Sequence, residues 1–242
     1  QAMFSNPAEL RSACRSGDFN APTAGQAPGY AQANLCILPK EYAFDFLLFC
    51  QRNPKPCPLL HVLEPGDALL NGNIDIRTDV PKYRIFENGV LTKEVADLSD
   101  VWQDDFVTFV IGCSFSFEDA LAKAGLSIRH NDQKRNVPMY ETNVPCKKAG
   151  IFEGNLVVSM RPYSPKDAIT AVEVTSKYPR VHGAPVHLGN PEQIGIKDIN
   201  IPDFGDAVDI YPGEMPVFWA CGVTPQAVVM KTKPSICITH AP

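Results

Sequence analysis

The chain has 242 residues, of which 45% are hydrophobic and 20% charged, and its formal net charge is −5 at pH 7. These values are ordinary for a globular protein, and the acidic balance argues against nucleic acid or an anionic membrane as a partner. The sequence contains no apolar run long enough to span a membrane, and it begins without a signal or transit pattern. We therefore expect a cytoplasmic protein, or one of the mitochondrial matrix if a targeting segment has been removed.

The cysteine pattern indicates reduced thiols. The eight cysteines include no CxxC pair, and four of them lie inside apolar runs, where cysteine acts as a small hydrophobic residue: Cys36, Cys50, Cys113 and Cys237. The sequence also carries neither a dinucleotide fingerprint nor a P-loop. We therefore expect no disulfide framework, no metal and no cofactor.

The first half of the chain predicts helices and strands in alternation. Asn6, followed by Pro7 and Glu9, predicts a helix that runs to about Gly17. The Asn88-Gly89 pair predicts the turn of a hairpin. The expected elements are a strand at 34–38, a helix from Pro39 to Phe49, a strand at 59–63 and the hairpin within 74–97.

The stretch from Phe106 to Gly125 is central to the functional interpretation. Phe106 to Ile111 predicts a buried strand, which Gly112 ends. Ser116 and Asp119 fit a capping box for a helix that Gly125 closes in the left-handed conformation. A strand that passes through Gly112–Ser114 into a helix leaves N–H groups unpaired, which predicts a site for a carboxylate or an oxyanion.

The second half of the chain repeats that arrangement. In WACGVTPQAVV a strand ends at Cys221 and Gly222, and Thr224 is the expected cap of the next helix. This segment and IGCSFSFEDAL are either two copies of one half-site that face each other across a cleft, or a chance similarity. The other elements expected are strands at 139–142, 155–160, 215–221 and 235–239, and a helix at 165–176.

These elements predict an α/β fold with a mixed sheet and flanking helices. We expect a single domain over residues 1–242, made of two similar, intertwined halves near 1–125 and 126–242 with the site between them. A homodimer is expected from the size of the chain.

Several side chains near the central stretch could carry chemistry, and each has a structural alternative. Glu118 is either a general acid or base, or a first-turn carboxylate that answers the helix dipole. Cys113 and Cys221 precede helices, which lowers a thiol pKa, but buried packing is the alternative. Ser114 and Ser116 are either ligand contacts or caps.

Histidines and arginines supply further candidates. His182, His187 and His240 lie in Gly/Pro-rich loops and could transfer protons, or could simply bond to nearby backbone. Their spacing matches no common zinc motif. Arg77 and Arg161 each end an apolar strand, which suits either a substrate carboxylate or an internal carboxylate partner.

Nine stretches resemble one protein family, in the same order along the chain from about Leu10 to Pro242. They are PTAGQAPGYAQANL, FCQRNPKPCPLL, DIRTDVPKYRIF, VIGCSFSFEDAL, RNVPMY, VVSMRP, HGAPVHLGNP, VFWACGVTPQ and ITHAP. The family is the hydro-lyase family that includes the D-glutamate cyclase domain of animal mitochondria and many stand-alone bacterial proteins. Its members continue past the ITHAP segment, so we expect a trimmed C-terminal end.

The resemblance implies a carbon–oxygen hydro-lyase that closes D-glutamate to 5-oxo-D-proline without a cofactor. The alternatives are a hydro-lyase for another small amino or hydroxy acid, and a non-catalytic protein that binds a small carboxylate. For the cyclase we assign Arg77 or Arg161 to the α-carboxylate, and the backbone at 112–114 and 221–223 to the γ-carboxylate. Glu118 or a loop histidine would transfer protons, and Gln32 and Asn34 would orient the amine.

Overall fold

The structure is a computed structural model that describes residues 2–241. Its α-helices are α1 (Pro7–Ser16), α2 (Lys40–Arg52), α3 (Phe115–Lys123), α4 (Arg129–Asp132), α5 (Pro165–Thr175) and α6 (Thr224–Thr232). Its strands are β1 (Ala33–Pro39), β2 (Leu59–Val62), β3 (Leu69–Leu70), β4 (Ile74–Asp75), β5 (Tyr83–Glu87), β6 (Val90–Val95), β7 (Phe106–Gly112), β8 (Met139–Pro145), β9 (Asn155–Tyr163), β10 (His187–Leu188), β11 (Met215–Ala220) and β12 (Ile236–His240).

Two main sheets organise the chain. The first has six strands in the order β2-β7-β1-β12-β5-β6, and the second has four in the order β10-β11-β9-β8. The predicted α/β class with flanking helices is confirmed. The strand pairings within residues 2–241 are antiparallel rather than mixed, because β7 is inserted between the parallel strands β1 and β2, and β11 likewise between β9 and β10.

An internal repeat relates the two sheets. The unit β1-α2-β2-β7-α3-β8 corresponds to β9-α5-β10-β11-α6-β12, and the hairpin β5-β6 is an insertion in the first unit. The registers agree: the β1–β7 pairing sets Gln32 opposite Cys113, and the β9–β11 pairing sets Val157 opposite Cys221. The repeat therefore extends over 33–145 and 155–240, whereas the sequence places the boundary between the halves near residue 125.

The two units exchange their last helix and strand. After β7, helix α3 packs with α5 on the second sheet, where Phe117 lies near Trp219, and β8 pairs with β9. After β11, helix α6 sends Val228 into the core of the first sheet, and β12 inserts between β1 and β5. The start of each helix thus lies at the junction of the two units.

Aromatic packing closes the core beneath the first sheet. Phe46 of α2 contacts Phe109 of β7 edge-to-face, with ring centroids 4.7 Å apart, and it also contacts Phe152 of the segment that links the two units. Val228 of α6, from the second unit, belongs to the same cluster. The three rings are completely buried. Because such rings contribute most of a core's apolar area, this cluster joins the two units into one packed body.

Most predicted elements are confirmed within a few residues. Helix α1 has Asn6 as its cap and Gly17 in the left-handed conformation at its end. Asn88 and Gly89 form the hairpin turn with φ of 52° and 79°, and the hairpin covers Tyr83–Val95, less than the predicted 74–97. It is shorter because the chain from Leu69 to Asp75 forms the separate pair β3–β4.

The predicted capping at the two central helices is wrong. Helix α3 begins at Phe115, one residue before Ser116, and Asp119 pairs with Lys123 at 2.6 Å instead of capping. Helix α6 begins at Thr224 itself rather than after it. The predicted ending of α3 is confirmed, since Gly125 follows it with φ of 83°.

No helix within residues 2–241 combines the length and apolar character needed to cross a membrane.

Candidate active site

Two turns at the junction, Cys113–Ser116 and Cys221–Thr224, are held by the same set of hydrogen bonds. In each turn the cysteine N–H donates to a carbonyl of the neighbouring strand region, that of Gln32 or that of Val157, at 3.0 Å. The hydroxyl of the last residue accepts from the N–H of Gln32 or Val157 (2.8 and 3.1 Å) and donates back to its carbonyl (3.3 Å in both). The two half-sites are therefore true structural copies, as the sequence repeat predicts.

The second residue of each turn keeps its N–H group free. The N–H groups of Ser114 and Gly222 have no hydrogen-bond partner among residues 2–241, and each lies at the N-terminus of a nine-residue helix. The expected contribution of Gly112 is wrong, because its N–H donates to the carbonyl of Pro58 at 2.9 Å. The backbone that could bind an anion therefore starts two residues later than predicted, at Ser114.

A cleft of about 70 Å³ lies between the two turns. It is lined by many of the residues singled out in the sequence, namely Gln32, Asn34, Cys113, Ser114, Cys221, Gly222 and His240. Val223 of the second unit also lines it, as do Asn136 and Met139, which lie just before and at the start of β8. A larger cavity of about 500 Å³ adjoins the cleft, and Gln32 and His240 line both.

Asn34 is the buried polar side chain of this cleft. Only 7% of the residue is exposed, and its amide makes no hydrogen bond with any residue among 2–241. The amide nitrogen packs so closely on Gly222 that a Cβ there would lie 1.7 Å from it. Because the amide has no partner among residues 2–241 and lies at the wall of the cleft, it is available to hydrogen-bond with a ligand group.

A buried charge cluster lies behind the first turn. Arg161 of β9 is fully buried and its guanidinium lies 2.5 Å from Glu118 of α3. His130 places Nε2 2.9 Å from the same carboxylate oxygen, although its N–H does not point at that oxygen well enough for a hydrogen bond. Burial raises the pKa of Glu118, but Arg161 and then His130 outweigh burial, so the net shift is downward. Glu118 is therefore an ionised anchor for Arg161 rather than a proton donor.

Arg161 connects this cluster to the cleft. Its second terminal nitrogen donates to Ser114 Oγ at 3.3 Å, and its first donates to Ser159 Oγ at 3.1 Å. Since the guanidinium can only donate, the Ser114 hydroxyl proton is free to donate into the cleft. Arg161 thus orients a hydrogen-bond donor at the wall of the site.

Both cleft thiols are protonated at neutral pH. Burial raises the pKa of Cys113 to about 12, although the N–H of Phe115 opposes it. Burial likewise raises the pKa of Cys221 to about 11, against the N–H of Val223. The predicted lowering of the thiol pKa by the helix N-terminus is therefore wrong in direction, because desolvation is the larger effect.

His240 is a neutral hydrogen-bond donor. Its Nδ1 accepts the N–H of Leu35 at 3.3 Å, which leaves the ring proton on Nε2. Burial lowers the pKa of His240 to about 4, so the ring stays neutral at physiological pH. In this tautomer His240 donates a hydrogen bond to a ligand and does not act as a base.

Five other candidates lie outside the cleft or support it. Arg77 is paired with Asp75 at 2.8 Å, on the segment that follows β4. His187 lies on edge strand β10 and bonds to the carbonyl of Asn190. His182 is buried against the carbonyl of Lys55 at 2.7 Å. The hydroxyl groups of Ser116 and Thr224 are taken up in the turns, as described above.

Gln32 also has a supporting position. Its side-chain oxygen accepts from the Thr23 hydroxyl at 2.8 Å, and its amide nitrogen donates to the carbonyl groups of Thr23 and Gln26. These bonds hold the 22–32 loop at the mouth of the cleft, so the amide of Gln32 is fully engaged.

His130 is the site residue that the sequence interpretation missed. It lies in the polar segment 129–136, where neither hydrophobic periodicity nor a motif separates a buried histidine from a surface one. The neighbouring Arg129 pairs with Glu214 at 2.6 Å and stacks on Tyr211, which fixes the short helix α4 above Glu118. The only local indication in the sequence that His130 is buried is the arginine before it, and this indication is weak.

Within residues 2–241 no group of three or more His, Cys, Asp or Glu side chains is arranged to hold a metal ion. The cleft itself offers hydrogen-bond donors and two thiols, a set that suits an anionic organic ligand.

Comparisons with known proteins identify relatives along the whole chain. "Putative hydro-lyase YcsI" of Bacillus subtilis is 59% identical over 239 residues, covering 98% of this chain and 93% of that protein. "Putative hydro-lyase Bpet2233" of Bordetella petrii is 61% identical, covering 94% and 88%. "Putative hydro-lyase cu1581" of Corynebacterium urealyticum is 60% identical, covering 98% and 91%.

A family profile agrees with these relatives. The profile described as D-glutamate cyclase matches residues 107–242, which include both turns of the cleft. The resemblance found in the sequence is therefore confirmed, and the chain belongs to the D-glutamate cyclase family.

Proposed function

We propose that this protein is a hydro-lyase that closes D-glutamate to 5-oxo-D-proline and releases water. The observation that carries the proposal is the pair of equivalent turns, each with a free N–H group at a helix N-terminus, on the two sides of one cleft. Such groups stabilise carboxylates and the oxyanion of a tetrahedral intermediate. Membership in the D-glutamate cyclase family and the hydro-lyase names of the relatives support the reaction class.

Glutamate suits this cleft because it carries two carboxylates. The N–H of Ser114 and the N–H of Gly222 would each hold one of them. The α-carboxylate is then bound by backbone rather than by Arg77 or Arg161, both of which already have internal partners. The amide of Asn34 lies beside Gly222 and would orient the attacking amine.

The cyclisation neither consumes nor releases a proton overall. The ammonium group loses two protons as its nitrogen attacks the carbon of the γ-carboxyl group, and the departing carboxylate oxygen takes up two protons to become water. A protonated thiol can relay them, because it gives its proton to the oxygen while its sulfur receives one from the nitrogen. The high pKa values of Cys113 and Cys221 are compatible with this relay.

Neutral donors would stabilise the transition state. As the carbon of the γ-carboxyl group becomes tetrahedral, negative charge builds on its oxygen, and the Ser114 hydroxyl and His240 Nε2–H can donate to it. A donor of this kind contributes about 3 kcal/mol when it is fixed in advance. Arg161 holds Ser114 in place for that purpose.

Proton NMR of the purified protein with D-glutamate, L-glutamate or 5-oxo-D-proline tests the proposal. We expect a higher initial rate of 5-oxoproline formation from D-glutamate than from L-glutamate, and a loss of at least about 100-fold in turnover for Ser114→Ala. Asp119→Asn, on the exposed side of the same helix, is the matched control and should keep full turnover. Selective line broadening of one compound without conversion would instead indicate a binding protein, and silence from all three would remove glutamate as the substrate.

A further inference from the structure

The two thiols are the groups of the cleft that can accept a proton. The titratable side chains on its wall are Cys113, Cys221 and His240. His240 cannot serve as a base, since its Nδ1 is occupied by the Leu35 N–H and its Nε2 carries the proton. Glu118 lies behind the wall and is bonded to Arg161.

The internal repeat places one thiol in each of the two turns that line the cleft. Each sulfur belongs to the first residue of its turn, and one turn ends a strand of the first sheet while the other ends a strand of the second. The turns lie against each other, since the carbonyl oxygen of Gly112 is 3.5 Å from where a Cβ on Gly222 would stand. The cleft between them therefore has one thiol from each unit on its wall.

Opposed acid–base groups permit a reaction that a single base does not. A hydrogen removed from one face of a carbon can be replaced from the other face only if a second proton donor waits there. We infer that Cys113 and Cys221 form an opposed acid–base pair that exchanges the α-hydrogen of the bound amino acid and so interconverts its two mirror-image forms. This inference rests on the proposed function, because it uses the same cleft and the same class of substrate.

The step balances without an oxidant or a cofactor. One thiol gives its proton to the neutral amino group of the ligand, which leaves an ammonium–thiolate pair. The thiolate removes the α-proton, and the C–H electron pair moves into the α-carboxylate. The opposing thiol then donates its proton to the other face of the α-carbon as the electron pair returns, and becomes the thiolate.

Charge in the cleft favours the thiolate once a ligand is bound. Burial raises the pKa of both thiols, while Arg161 and the N–H groups of Phe115 and Val223 lower it. The ammonium group of an amino acid adds a second cation at contact distance, and a nearby cation stabilises a thiolate. The thiolate therefore forms with the ligand rather than in the empty cleft.

The test follows the α-proton in heavy water. D-glutamate, L-glutamate and both enantiomers of 5-oxoproline are each incubated with the protein in D₂O, and the α-proton signal and the enantiomer ratio are measured. We expect deuterium at the α-carbon and a mixture of enantiomers from D- and L-glutamate, whose amino group can take the thiol proton. Cys113→Ser and Cys221→Ser should each slow interconversion at least about 100-fold. Cys146→Ser is the matched control, since that half-buried thiol packs against the aromatic core away from the cleft.

The outcomes separate this inference from the proposed function. Cyclisation with an undiminished α-proton signal would overturn the thiol pair and leave the hydro-lyase intact. Deuterium incorporation without formation of 5-oxoproline would support the thiol pair and overturn the hydro-lyase. Interconversion that survives in both cysteine variants, once circular dichroism has shown them folded, would also overturn the assignment.

Discussion

Glu118 and Gln226 occupy equivalent positions, each five residues after the cysteine of its turn. Both are about 5% exposed, yet only Glu118 has a charged partner. The residue equivalent to Arg161 in the first unit is Cys36, so Gln226 faces no guanidinium, and its side-chain oxygen has no hydrogen-bond partner among residues 2–241. The two half-sites thus have the same backbone arrangement, but only the first has a buried charged pair behind its turn.

Removing the buried carboxylate should destabilise the fold. Glu118→Gln leaves the guanidinium of Arg161 buried without a counter-charge, a loss of about 3–5 kcal/mol. Urea unfolding followed by tryptophan fluorescence measures this free energy, since Trp219 lies in the same layer. Asp119→Asn, which breaks only an exposed pair with Lys123, should cost less than about 0.5 kcal/mol. Equal losses in the two variants would contradict the buried pair.

A substitution at the equivalent residue of the second unit, Gln226, should stabilise the fold. Gln226→Met removes an unsatisfied buried oxygen and keeps an unbranched side chain of similar length. We expect a gain of about 1 kcal/mol in the free energy of unfolding, measured by the same urea titration. A loss of stability would mean that the Gln226 amide has a partner, such as a bound water.

A side chain at Gly222 should disable the cleft without unfolding the protein. In Gly222→Ala the new Cβ would lie 1.7 Å from the Asn34 amide nitrogen, so Asn34 must move away from the ligand. We expect D-glutamate affinity, measured by calorimetry, to fall at least about tenfold, the loss of one hydrogen bond to a charged group. Gly154→Ala is the control, because its Cβ would meet only a methyl group of Val228. Unchanged affinity in Gly222→Ala would exclude Asn34 from binding.

Acid should destabilise the protein through two buried histidines. Burial lowers the pKa of His182 and of His240 to about 4, below the ordinary value of 6.5. The stabilisation that these two neutral rings provide is complete above pH 6.5 and is lost as the pH falls towards 4. The reason is that the histidines of the unfolded chain bind protons at a higher pH than those of the folded protein. Each histidine adds a slope of up to about 1.4 kcal/mol per pH unit. Urea unfolding between pH 4 and 8 measures the slope.

A variant of His182 shows how much of the pH dependence of stability comes from that histidine. His182 adopts φ of 86°, which asparagine tolerates better than most residues, so His182→Asn should fold and show a shallower dependence on pH. His61→Asn, on the exposed edge strand β2, should behave like the parent protein. An unchanged slope in His182→Asn would mean that the buried ring does not titrate in this range.

The cleft thiols should react slowly with alkylating reagents. With pKa values of about 12 and 11, Cys113 and Cys221 hold almost no thiolate at pH 7, so iodoacetamide should modify them at least about 100-fold more slowly than free cysteine. Mass spectrometry of the modified peptides measures each rate. Rapid alkylation at pH 7 would contradict the protonated state.

The sequence predicts the local elements of this fold better than it predicts its charges. Asn88-Gly89, Asn6 and Gly125 determine a turn, a helix start and a helix end through their own backbone preferences, and such preferences are readable residue by residue. The repeat of the two cysteine turns was also visible, because both copies keep a cysteine and a hydroxyl residue at the same spacing. Those features are local.

The partners of Arg161 could not be predicted in this way. Ser114 and Glu118 lie together at the start of α3 and His130 lies in α4, and only the exchange of α3 between the two units brings them to Arg161. The thiol pKa values have a similar origin, since desolvation depends on every neighbour of Cys113 and Cys221. Helix position alone suggested the opposite direction.

The position of β12 constrains how this protein is made. It is the last of the described strands along the chain, and it lies between β1 and β5 near the middle of the six-stranded sheet. Until β12 has been synthesised, β1 and β5 have no common neighbour and expose unpaired strand edges, which are sites of aggregation. The first sheet therefore cannot be completed until the second unit has been synthesised.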